Sequence, residues 1–212
     1  MSIMTLHVLY LVAITAEAMT AALAAGRRRM DWVGVCLLGS VTALGGGSFR
    51  DVLLGHYPLV WVEHPSYLVI TAGAALATIA IARLMHHLRM LFLLLDAVGL
   101  VVFTIIGCNV ATAMGEPIVV VIVAGMITGC VGGVLRDVLC NEVPLLFRSE
   151  LYASVSILTA AIYVTGLKLD LPHFPLMIVA MAFGLTMRML AIRFNWHMPK
   201  FVYTRELHGR AE

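Results

Sequence analysis

Seven blocks of apolar sequence dominate this chain, each close to the length needed to cross a bilayer and each nearly free of charge. Crossing the ~30 Å hydrocarbon layer takes roughly 20 residues of helix. The blocks run from Thr5 to Ala25, Trp32 to Leu54, Tyr67 to Met85, Met90 to Ala113, Ile118 to Leu139, Leu151 to Leu167 and Leu176 to Phe194. None alternates apolar and polar residues in the manner of a transmembrane barrel strand, so helices remain as the way to satisfy the backbone in lipid. Composition agrees: 61% of residues are hydrophobic and 12% charged, where a water-soluble domain carries about a quarter charged residues. The fold class expected is an all-α integral membrane protein with seven spans.

The first block reads as a retained span. No Lys or Arg precedes it, the basic run Arg27, Arg28, Arg29 follows it, and it exceeds the usual 7–15 residues of a leader's apolar region. Basic residues are held back in the cytoplasm during insertion. With the amino terminus outside, Arg27 to Arg29, Arg83, Arg89, Arg148, Arg188, Arg193, Lys200, Arg205 and Arg210 all fall on one side, and only Lys168 on the other. The expected topology is therefore amino terminus out and carboxyl terminus cytoplasmic. The net charge of +2 follows from that topology, and no basic patch with interleaved aromatics marks a nucleic-acid face. Cys36, Cys108, Cys130 and Cys140 are scattered, without metal-type spacing, and read as core residues.

An internal repeat organises the chain. The second block contains V-T-A-L-G-G-G-S-F-R-D-V-L-L from Val41, and the fifth contains I-T-G-C-V-G-G-V-L-R-D-V-L-C from Ile127, an offset of 86 residues. Thr42 then matches Thr128, Gly46 and Gly47 match Gly132 and Gly133, Arg50 and Asp51 match Arg136 and Asp137, and Pro58 matches Pro144. A looser match sets His7 with His86 and Glu17 with Asp96, at an offset of 79. The units are 1–85, a first three-helix repeat; 86–170, a second; 171–195, the seventh helix; and 196–212, a basic cytoplasmic tail. An odd number of helices per unit inverts the second unit relative to the first, an arrangement common among transport proteins.

The repeated motif carries the chemistry. Gly45, Gly46 and Gly47 each weaken a helix by about 1 kcal/mol relative to alanine, so a kink or break is expected there, and a shallower one at Gly132 and Gly133, where Val131 replaces the third glycine. Freed carbonyls can serve a small cation as ligands. Close helix packing is the competing explanation for transmembrane glycines, and it is preferred for Gly39, Gly73, Gly99, Gly107, Gly125 and Gly129. Charges within the spans mark function, because each costs roughly 2.5–3.5 kcal/mol even on lenient scales. Six are identified: Glu17, Asp51, Asp96, Asp137, Arg50 and Arg136, an excess of two acids if all are ionised. Adjacent helical residues point about 100° apart, so Arg50 and Asp51 are expected to find partners elsewhere, with each arginine reaching an acid of the other repeat. Thr42, Ser48 and Thr128 offer hydroxyls beside the glycines, either as ion ligands or bonded back to their own helix. Asn109 in the fourth span is another polar candidate, and a helix–helix hydrogen bond, worth about 0.6 kcal/mol on average, would explain it as well.

Two three-helix units plus a seventh span, each unit with Gly-Gly-Gly-x-x-Arg-Asp or a close variant in its second helix and a proline after it, resemble the trimeric intracellular cation (TRIC) channel family in its short prokaryotic form, also described as a glycine transporter or UPF0126-type family. The resemblance spans Thr5 to about Phe194. It implies a homotrimer with a pore inside each protomer, lined by kinked second and fifth helices and passing potassium and other monovalent cations. The pore elements would be Thr42, Gly45, Gly46, Gly47, Ser48, Arg50 and Asp51 with Thr128, Gly132, Gly133, Arg136 and Asp137. No cofactor or structural metal is implied beyond permeating potassium or sodium, with membrane lipid as a possible bound partner. A glycine carrier is the alternative, since inverted repeats suit alternating access equally. An enzyme is not expected: the spans hold no His-Glu-x-x-His and no Gly-x-Ser-x-Gly elbow.

Overall fold

A computed structural model describes residues 3–82, 88–148, 151–194 and 196. Nine helices form among them: α1 (Ile3–Arg27), α2 (Trp32–Leu54), α3 (Val60–Glu63), α4 (Ser66–Ala82), α5 (Leu88–Ala113), α6 (Ile118–Leu139), α7 (Leu145–Arg148), α8 (Ala153–Lys168) and α9 (His173–Phe194). The expected blocks become α1, α2, α4, α5, α6, α8 and α9, and the bounds of α2 and α6 match the sequence reading. Five helices, α1, α2, α5, α6 and α9, are long and apolar enough to cross a membrane, while α4 and α8 are apolar but shorter, at 17 and 16 residues. The pair α3 and α7 was not foreseen. Each follows a matched proline, Pro58 or Pro144.

Local signals fix the helix ends. The Asp31 carboxylate accepts from the Gly34 amide at 2.7 Å and caps α2. Gly55, at φ 68°, ends that helix in the left-handed conformation glycine tolerates.

The packing is that of a membrane bundle. Large apolar side chains point outward, as Val69, Val119 and Trp32 do with at least 70% of their surface exposed. The interior combines alanines such as Ala13, Ala18, Ala21, Ala75 and Ala97 with larger apolar residues such as Ile14, Leu100, Phe103 and Ile105 and with buried charges and hydroxyls. Small residues let helices approach closely where lipid removes the hydrophobic drive between them. At the centre α2 packs on α6, α1 on α2 and α5, and α5 on α6; α4 flanks α1 and α2, α8 flanks α5 and α6, and α9 packs on α5 and α8.

One expectation changes here. The helical backbone runs unbroken through Gly45–Gly47 in α2 and through Gly132 and Gly133 in α6, so neither helix is interrupted. Helical hydrogen bonds are costly to give up where no water replaces them, and the crossing helix covers Gly45, Gly46 and Gly132. Arg83, His86, His87, Lys200, Arg205 and Arg210 lie outside the described residues, as does nearly all of the 196–212 tail.

Candidate functional site

The two repeated motifs meet backbone to backbone. A Cβ placed on Gly46 would collide with the Thr128 carbonyl of α6 and lie 3.3 Å from the Gly132 amide nitrogen. One placed on Gly132 would collide with the Thr42 carbonyl of α2. These four residues are the ones matched by the 86-residue offset, so the contact maps onto itself when the repeats are exchanged. Gly46 and Gly132 thus permit a helix crossing that any side chain would force apart. Gly45 faces the Leu135 side chain instead.

Beside the crossing, Arg50, Leu53 and Leu54 of α2 and Val120, Val123, Ala124 and Ile127 of α6 line a crevice of about 190 Å3. The hydroxyls near it are mostly turned back on their own helix: Ser48 Oγ donates to Leu44 O at 2.8 Å and Thr128 Oγ1 to Ala124 O at 2.6 Å. Thr42 Oγ1 is buried and has no hydrogen-bond partner among the described residues.

Each arginine pairs with the aspartate that follows it, against expectation. Arg50 donates to Asp51 Oδ1 from Nε at 2.9 Å and Nη2 at 2.6 Å, and Arg136 Nε donates to Asp137 Oδ1 at 2.9 Å. The reason lies three residues earlier. A Cβ on Gly47 would sit 3.9 Å from Arg50 Nη2 and one on Gly133 3.5 Å from Arg136 Nη2, so each guanidinium folds back over the bare glycine of the preceding turn. The 100° between neighbours describes Cα–Cβ directions and not the reach of an arginine.

Beyond that shared pair the two motifs diverge. Asp51 also receives His56 Nδ1 at 3.1 Å, and Arg50 Nη1 has no hydrogen-bond partner among the described residues. Arg136 Nη1 donates to Asp96 Oδ1 at 2.9 Å and Thr20 Oγ1 at 3.1 Å, and lies 4.0 Å from Glu17 Oε2. Its guanidinium also stacks on Phe92, 4.6 Å from the ring centroid. Asp137 Oδ2 accepts the Leu145 amide at 2.9 Å and so ties α7 to α6. Tyr152 Oη donates to Asp96 at 3.3 Å. Arg136 thus meets its own repeat's Asp96 and, more loosely, Glu17 of the first repeat, whereas Arg50 pairs with no acid of the second.

Sequence reasoning missed one buried charge. Arg188 was placed near the cytoplasmic end of the last span, yet it is fully buried, its guanidinium 4.7 Å above the Tyr152 ring. Among the described residues four buried acids therefore face three buried arginines, an excess of one and not two. The signal was present in α9, where Ala180, Gly184, Arg188 and Ala191 recur at helical spacing on one buried face. The cysteines are free and, apart from half-buried Cys36, lie in the core. Asn109 accepts from Tyr163 Oη at 2.9 Å, the helix–helix bond expected of it. Gly39, Gly99, Gly107, Gly125 and Gly129 pack against a neighbouring helix as expected, Gly99 against the Glu17 side chain of α1, while Gly73 has nothing within 4 Å.

An all-helical membrane bundle with fully buried ion pairs on two centrally crossed helices defines an integral membrane protein of the TRIC channel architecture. A family model described as "Glycine transporter" matches residues 7–83 and 93–168. The UPF0126 inner membrane protein YadS of Escherichia coli (strain K12) is 38% identical over 210 residues, covering 98% of this chain and 100% of that one. A UPF0126 membrane protein of Vibrio cholerae is 36% identical over 189 residues, 89% of this chain and 79% of its own. The TRIC trimeric intracellular cation channel orthologue from Rhodobacter sphaeroides superposes with a TM-score of 0.87 at 34% identity, covering 90% of this chain and 98% of that one. A prokaryotic TRIC channel crystallised in 0.5 M KCl gives 0.86 at 30% identity, over 93% and 100%. The chain belongs to this TRIC-like, UPF0126 family.

Proposed function

We propose that the protein is a monovalent cation channel, potassium-permeable, with a pathway inside each protomer of a homotrimer. The supporting observation is the self-matching α2–α6 crossing at Gly46 and Gly132, flanked by a crevice that Arg50 borders. On this reading the glycine crossing is the constriction of a closed state, and small shifts of α2 against α6 open it. Thr42, Gly45, Gly47, Ser48, Asp51, Thr128, Gly133, Arg136 and Asp137 flank that constriction, with Glu17 and Asp96 as supporting charges. Seven spans, inverted units at 1–85 and 86–170 with a further helix at 171–195, and an external amino terminus complete the proposal. Similarity to solved TRIC channels at 30–34% identity supports it.

The family model's description favours a second reading, a carrier for a small amino acid such as glycine. Purified protein in planar bilayers under a potassium chloride gradient separates the two. Discrete openings that reverse near the potassium equilibrium potential are expected. Silent bilayers together with saturable, counterflow-capable glycine uptake into liposomes would reject the channel in favour of the carrier.

A further inference from the structure

A second region of the molecule, away from the crossed helices, combines a large groove with charge that the described structure does not neutralise. The first two turns of the described α5 and the C-terminal half of α9 bound an open groove of about 880 Å3. Its walls are apolar, formed by Leu93, Leu185, Met189 and Ile192 among others, and its rim carries Arg89 from α5 and Arg193 from α9. Arg89 lies near the start of the described part of α5 and Arg193 near the end of the described part of α9, and both border the same groove. Both side chains are exposed, and neither forms an ion pair with a carboxylate among the described residues.

This arrangement has the chemistry of a phospholipid. Apolar walls suit an acyl chain, and two exposed guanidiniums without an ion pair among the described residues suit a phosphate, which arginine binds through paired N–H donors. Basic pockets between transmembrane helices are a recognised way of holding anionic headgroups. A second protein copy fits less well, because it would have to bring carboxylates to both guanidiniums, a charge buried without a partner being costly.

We infer that the α5–α9 groove is a binding site for an anionic phospholipid, its phosphate held between Arg89 and Arg193 and one acyl chain lying along Leu93 and Met189. The site is separate from the α2–α6 crossing, so it holds whether the protein is a channel or a carrier.

The test uses the full chain reconstituted in equal phosphatidylglycerol and phosphatidylcholine, with retained lipid counted by native mass spectrometry. The wild type is expected to keep phosphatidylglycerol preferentially, and R89Q/R193Q to lose that preference by roughly 20- to 30-fold at low salt, given the surface attraction of each arginine for anionic lipid. Thr186→Trp, which fills the groove without altering its charge, should reduce retention of both lipids. Equal retention of the two lipids by the wild type, or an unchanged preference in R89Q/R193Q, overturns the proposal. Should that double variant fail to fold, salt titration of the wild type decides: a preference that does not weaken with ionic strength overturns it. Disulfide-linked pairs of Met189→Cys chains in native membranes would assign the groove to a second copy instead, and would also overturn it.

Discussion

The two Arg-Asp motifs are alike in sequence, in position along their helices and in the local ion pair, but not in what surrounds them. Around Arg136 three carboxylates, those of Glu17, Asp96 and Asp137, lie within 4.0 Å, with Thr20 and Phe92 completing the shell. Around Arg50 there is one carboxylate, Asp51, with half-exposed His56 beyond it and a crevice alongside. A doubled sequence has thus diverged into an over-determined half and a sparse half. The lesson is about division of labour: a helix tied at several points serves as a frame, and a helix tied at one is the better candidate to move.

The sharpest way to break this comparison is to remove each arginine. Arg136→Leu leaves three buried carboxylates without their shared counter-charge, and losing one partner of a buried pair costs about 3–5 kcal/mol. The expected result is little or no monodisperse protein by size-exclusion chromatography in detergent. Arg50→Leu strands one carboxylate that keeps His56, so a folded protein with a lowered melting temperature is expected. Equal collapse of both variants would show that the two halves are not mechanically distinct.

The crossing gives the next largest effect. Gly132→Ala places a methyl against the Thr42 carbonyl, and overpacking of this kind costs typically about 1–3 kcal/mol. Gly73→Ala is the control, since nothing lies within 4 Å of its Cβ position; it should gain up to about 1 kcal/mol from helix propensity. Thermal melts that rank the two variants the other way would remove Gly132 from the contact.

Much of this was legible in the sequence, and the parts that were not have physical reasons. Span positions could be read because lipid imposes a length and forbids charge, and α2 and α6 fell where expected to the residue. The repeat could be read because Arg, Asp and Gly are rare enough in apolar sequence for an ordered match to stand out. Pairing could not be read from spacing. Whether Arg50 reaches Asp51 depends on the notch at Gly47, and whether Glu17 faces Arg50 or Arg136 depends on how α1 packs, which no local pattern encodes. Arg188 was hidden by nearness to a helix end, although the small residues at 180, 184 and 191 marked its face as buried.

Within the over-determined half, Tyr152 joins two arginines indirectly, stacking under Arg188 and donating to Asp96. Tyr152→Phe keeps the stacking surface and removes the hydroxyl, and is expected to cost about 1 kcal/mol, the typical net worth of one hydrogen bond. An unchanged melting temperature would mean that the 3.3 Å contact contributes nothing to the frame.

The finest test lies in the paired glycines under the guanidiniums. A methyl on Gly133 would stand 3.0 Å from Tyr152 Oη and 3.5 Å from Arg136 Nη2, whereas one on Gly47 would meet only Arg50 Nη2 at 3.9 Å, an ordinary contact. Alanine gains helix propensity at either site, up to about 1 kcal/mol. Gly47→Ala should keep that gain, because the sparse half has room. Gly133→Ala should lose most of it, because the tyrosine hydroxyl must shift by a few tenths of an ångström and its bond to Asp96 shifts with it. The expected gap is about 0.5–1 kcal/mol, read as the difference between two melting temperatures in the same detergent, and in the Tyr152→Phe background it should shrink. A gap that persists there would place the crowding on Arg136 itself and make the guanidinium, not the tyrosine, the rigid member of the frame.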